Sequence, residues 1–272
     1  MRPERRIAAV GALVVFLGLL PACDRSQSFR RDPSRGKFRQ VAHEVEIRPG
    51  SSSRSDALML VQTAQGRLAS GDAKSALALA ERAVRMNPAM PEGPGVLAQS
   101  LEALGRHQEA GAFYRRAAEM PPVQGAHLNN YGAWLCGQRR EQESLGWFER
   151  AWTTPGYATP DAALANAGAC ALRLGQAARA AEWSRQALAI SPANPVALMT
   201  LAQAAFGAGR ALEARAFIER RLSAAAADHE SLLLASQIEQ QLGDTTASTR
   251  YLHRLNAEFP RTPESASQGG GR

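Results

Sequence analysis

The sequence predicts an all-α protein, a solenoid of about six helix-turn-helix repeats, and three observations predict it. Alanine occupies 53 of the 272 positions, and alanine is the strongest helix former. Strand-forming residues are scarce beyond the first twenty positions, which removes all-β and doubly wound α/β architectures. A helix-breaking position recurs at Gly71, Gly105, Arg139, Gly175, Gly209 and Gly243, with spacings of 34, 34, 36, 34 and 34. A fixed period of that length marks stacked helical hairpins.

Taken in order, residues 1–22 form a signal. Arg2, Arg5 and Arg6 open a basic segment, and Ile7 to Leu20 is an uncharged apolar run too short to span a bilayer comfortably. Leu20-Pro21-Ala22-Cys23 resembles the lipobox of bacterial lipoprotein precursors. That resemblance implies lipidation of Cys23 and firm anchoring by several acyl chains. A plain secretory signal with a chance cysteine is the competing reading, and Pro21 is the departure from the usual box. Asp24 resembles an inner-membrane retention signal of enteric lipoproteins, a rule that other bacteria do not share.

Residues 23–56 are the lipidated N-terminus and a tether, rich in Arg, Ser, Pro and Gly and poor in apolar residues. Residues 263–272 are a frayed tail. Of the formal net charge of +7, residues 1–22 carry +2 and residues 24–56 carry +3. The repeats are nearly neutral, so a phosphate-binding face and nucleic acid as a partner are excluded.

Between them, residues 57–262 hold the repeats. Seven residues before each turn lies a small side chain, at Ala64, Ala98, Gly132, Gly168, Ala202 and Ser236. Five residues after each turn lies another, at Ala76, Ala110, Ser144, Ala180, Ala214 and Ser248. Small residues at both places let paired helices approach closely, and glycine at the turn supplies positive φ. Near the end of each second helix stand Ala83, Ala117, Ala151, Ala187, Leu222 and Leu255, followed by Pro88, Pro122, Gly156, Pro192, Ala227 and Pro260. The prolines stop that helix. Repeat three is irregular: Arg139 replaces the turn glycine, and two extra residues fall around Thr153–Tyr157. This pattern resembles the tetratricopeptide repeat, which implies a right-handed superhelical solenoid whose concave groove, lined by the first helices, binds peptides.

No catalytic chemistry emerges. The five histidines are scattered without metal-ligand spacing, and no nucleophile elbow, phosphate loop or dinucleotide fingerprint occurs. The expectation is no enzyme, no metal and no cofactor. Asp228 reads as a helix cap. Cys136 and Cys170 lie 34 apart in the first helices of repeats three and four, either bridged or as two buried thiols. Trp134, Trp147, Phe148, Trp152 and Tyr157 either fill the core around the irregular turn or anchor a partner. The register places Leu58, Val61, Gln65, Leu68, Gln99 and Glu102 inward. Further along come Asn129, Ala133, Leu172, Arg173, Met199, Gln203, Phe206, Leu233 and Gln237, a mixed apolar and amide surface suited to an apolar or amphipathic peptide.

The segment His127-Leu128-Asn129-Asn130-Tyr131-Gly132-Ala133-Trp134-Leu135-Cys136, with Ala163 to Leu172 after the expansion, resembles the type IV pilus biogenesis and stability proteins of the PilF/PilW family. The order of signal, lipid cysteine, six repeats and short tail is similar too. The resemblance implies a monomeric, periplasm-facing outer-membrane lipoprotein, a pilotin that binds the pilus secretin PilQ and promotes its localisation and multimerisation. It adds Asn130 and Tyr131 to the partner-binding candidates. The alternative is a generic periplasmic repeat scaffold in envelope polysaccharide or outer-membrane protein assembly.

Overall fold

All six positions of the sequence period adopt left-handed backbone. The φ angle is +81° at Gly71, +75° at Gly105, +61° at Arg139, +75° at Gly175, +74° at Gly209 and +80° at Gly243. The amide after each turn donates to the carbonyl five residues earlier, at 2.8–3.0 Å, the bond that closes a helix end of this type. Of the six, Arg139 alone carries a Cβ into this region, at a cost of about 1–2 kcal/mol.

This computed structural model describes residues 54–260. The signal, Cys23, nearly all of the tether and the tail lie outside the described residues. Among the described residues twelve helices pair into six hairpins: α1 (Arg54–Ala69) with α2 (Ala73–Met86), α3 (Glu92–Ala103) with α4 (His107–Glu119), and α5 (Gly125–Gly137) with α6 (Glu141–Thr153). The series continues with α7 (Pro160–Arg173) and α8 (Ala177–Ile190), α9 (Pro195–Gly207) and α10 (Ala211–Ala224), and α11 (His229–Gln241) and α12 (Thr245–Glu258). The first helix begins at Arg54, three residues inside the segment read as tether. Each helix packs on the next, and the first helices α5, α7, α9 and α11 also pack side by side. The architecture is an all-α solenoid.

The small residues expected on both partners of each hairpin are buried in every repeat. A Cβ on Gly168 would stand 2.5 Å from Ser184 Oγ and 3.1 Å from the Ala180 carbonyl, so glycine is what lets α7 meet α8. In repeat six the pair is Ser236 and Ser248, whose hydroxyl oxygens lie 2.9 Å apart and satisfy each other.

One feature departs from the register expected above, and one expected irregularity takes a definite shape. In repeat five the residue that fills the buried place at the end of the second helix is Arg221, twelve positions after Gly209, and not Leu222, which is half-buried beside it. The extra residues of repeat three form a connection in which Gly156 has φ +75°. That loop folds Tyr157 under α5, where a Cβ on Gly125 would lie 2.5 Å from Tyr157 Cγ.

The aromatic crowd sits against the core. Phe148 is fully buried. Tyr131 stacks edge-on to Trp147 with centroids 4.7 Å apart, and Trp152 lies 5.6 Å from Trp183. Trp134 packs over Gly111 and donates from Nε1 to the His107 carbonyl at 2.9 Å. No described helix is long and apolar enough to cross a membrane.

Candidate peptide groove

Residues one helical turn apart share a face, and three first helices use that spacing to build one concavity. Its contributors are Ala133 and Cys136 on α5, Asn166, Ala169 and Arg173 on α7, and Val196, Met199 and Gln203 on α9. The cavity between them has a volume of about 550 Å³, with Phe148 of α6 as part of its floor. Arg221 near the end of α10, Asp228 at the cap of α11 and Glu230 in its first turn also border it.

Asn166 Nδ2 donates to Asn129 Oδ1 at 3.1 Å, which joins α7 to α5 across the groove wall. Cys136 and Cys170 are paired as a disulfide with Cα atoms 6.1 Å apart, within the span such a bridge allows. Arg173 donates from Nη2 to the Cys136 carbonyl at 2.8 Å, contacts the Cys136 sulfur, and lies 3.6 Å from the Cys170 sulfur. Its Nε is 3.9 Å from Glu141.

Arg221 is buried, with three acceptors: Asp228 Oδ2 at 2.6 Å, the Ala226 carbonyl at 3.1 Å and the Ala225 carbonyl at 3.3 Å. This clamp stands where four other repeats place a proline. Asp228 also caps α11 in a reciprocal box with Ser231. Burial pushes the Asp228 carboxyl up, but the Ser231 hydrogen bonds and the Arg221 guanidinium outweigh it and hold the pKa below its ordinary value. Gln203 Nε2 donates to Glu230 Oε1 at 2.6 Å. Among the described residues no three His, Cys, Asp or Glu side chains gather as a metal would require.

Of the residues expected to meet a partner, Ala133, Arg173, Met199 and Gln203 border the cavity and Asn129 is bonded to its wall. The rest are not brought together there. Tyr131 is buried in the aromatic core, and Phe206 packs against the cluster around Ile218 and Ala235. Gln99, Asn130 and Leu233 are half-buried elsewhere on the first helices, and Gln237 is exposed on α11. Val61, expected inward, is core. The register reading missed Asn166, Val196, Arg221 and the two acids. Asn166 was within reach, because it follows Asn130 by one repeat plus the insertion.

A tetratricopeptide repeat family model matches residues 67–128 and 171–238. Stacked hairpins with a groove along the first helices define the class: the chain is a tetratricopeptide-repeat protein. The type IV pilus assembly protein PilF of Pseudomonas aeruginosa is 22% identical over 204 residues, which are 75% of this chain and 81% of PilF. The crystal structure of PilW, a widely conserved type IV pilus biogenesis factor, is similar with a TM-score of 0.69 and 28% identity, over 79% of this chain and 99% of PilW. The structure of Pseudomonas aeruginosa PilF gives a TM-score of 0.66 and 21% identity, over 79% of this chain and 97% of PilF. Homology to PilF and the match to PilW support a tetratricopeptide protein of type IV pilus biogenesis.

Proposed function

We propose that this chain is a non-enzymatic pilotin that captures a segment of the pilus secretin PilQ in the groove between α5, α7 and α9 and promotes its outer-membrane localisation and multimerisation. Cys23 carries the lipid anchor, and the repeats face the periplasm. The observation that carries this reading is the cavity itself, which is concave, mixed in polarity and formed by three rigid helices. Anchoring adds to it, because a lipid-held groove meets a membrane-bound partner at high effective concentration.

Ala133→Glu tests it. Ala133 is exposed on α5 and borders the cavity, so a carboxylate there obstructs the groove without touching the core. Affinity of the full chain for the periplasmic region of PilQ is expected to fall by about tenfold or more, with helical content unchanged. Unchanged capture would place the partner site elsewhere on the solenoid.

A further inference from the structure

Three arginines stand just after the turns of their hairpins, and each has a use inside the chain. Arg106 pairs with Glu109 at 2.7 Å, Arg140 with Glu143 at 2.5 Å and Arg210 with Glu213 at 2.6 Å. Arg139 differs. It is exposed, and its guanidinium makes no hydrogen bond, ion pair or ring contact among the described residues. It also stands in left-handed backbone, φ +61°, where the five other repeats use glycine. A Cβ at any of those five glycines would meet nothing within 4 Å, so this kind of turn offers a side chain nothing to pack against. Glycine would relieve the strain, and nothing among the described residues uses the arginine side chain. A strained residue that does not serve the fold points to a functional contact.

Its position gives that contact a place. The Cys136 carbonyl accepts the Arg139 amide at 3.3 Å and Arg173 Nη2 at 2.8 Å. The Arg173 side chain is 52% exposed, and both Arg173 and Gly137, two residues before Arg139, border the cavity. Two cations therefore gather at the turn end of the groove. The acids beside them in the chain are Glu141 and Glu143. Arg140 holds Glu143, and Glu141, 15% exposed, lies 3.9 Å from Arg173 Nε. The Arg139 guanidinium is the charge left over, and its chemical complement is a carboxylate.

We propose that Arg139 is a partner contact: with the half-exposed Arg173 on the same carbonyl, it receives an acidic side chain of the captured segment at the turn end of the groove. The proposal rests on the groove being the PilQ capture site and adds the charge of what it captures.

The test measures binding of the PilQ periplasmic region to the full chain at about 50 mM and about 500 mM salt. Wild type is compared with Arg139→Gly, Arg139→Ala and Ala133→Glu, with thermal unfolding of each. Arg139→Gly is expected to melt about 2–4 °C higher than wild type and to bind about fivefold more weakly at the lower salt. Arg139→Ala removes the charge but keeps a Cβ in left-handed backbone, so it is expected to bind as weakly without melting higher. At the higher salt both are expected to bind within about twofold of wild type, because exposed charges are screened there. Either variant binding like wild type at the lower salt overturns the contact, and a gap that persists at the higher salt overturns its ionic character. If either result comes with loss of binding in Ala133→Glu, the groove remains the capture site and only this inference fails. Normal binding by Ala133→Glu or no wild-type binding removes the capture site and this inference with it.

Discussion

Phe148→Ala is expected to lower the unfolding free energy by about 3–5 kcal/mol, toward the upper end of that range. The ring is fully buried at the join of repeats three and four, where it packs with Leu145, Ala167, Cys170 and Trp183. On α5 it faces Gly132, whose missing Cβ would lie 2.9 Å from the ring. A glycine has no side chain to move into the space left behind, so the void stays open. Denaturant unfolding followed by circular dichroism checks this. A loss below about 1 kcal/mol would mean that α5 and α6 close together when the ring is removed. The same substitution removes part of the cavity floor, so capture of a partner is expected to weaken along with stability.

Reducing the Cys136–Cys170 bridge, or replacing both cysteines by serine, is expected to cost about 2–4 kcal/mol. The bridge closes a 34-residue separation and ties α5 to α7, two of the three helices that border the groove. In a solenoid each repeat is held by its neighbours alone, so a covalent link between repeats three and four acts where no distant contact can substitute. Thermal unfolding with and without dithiothreitol reads the effect directly. A melting curve indifferent to reductant would show that the hairpin contacts around Gly132 and Gly168 suffice to hold the two repeats together.

Backbone requirements were the most legible part of this sequence. The turn positions were readable because a left-handed residue ending a helix is a local demand that glycine meets, and even Arg139 was placed by the period alone. The small residues inside each hairpin were readable for a similar reason: close helix approach excludes large side chains at Ala64, Ala76 and their equivalents. Side-chain direction was less legible. Asn129, Asn130 and Tyr131 are consecutive, yet each step turns the side chain by about 100° around the helix, which sends Tyr131 into the core and leaves Asn129 bonded to the groove wall. The cysteines differ by two positions within their repeats. The register alone did not say whether they meet, and their Cα atoms lie 6.1 Å apart with the sulfurs bridged. Arg221 was hidden because its position holds alanine in the first four repeats, and only its three acceptors explain how a guanidinium is accommodated there.

The central claim is that this chain acts on the secretin from a membrane anchor. Its most direct test is the state of PilQ in outer membranes of a strain lacking the protein, comparing detergent-resistant multimer with monomer, beside wild type and a Cys23→Ala strain. Loss of multimer in the deletion strain, with secretin mislocalised in the Cys23→Ala strain, is the expected result. Unchanged multimer and location in both strains would contradict it.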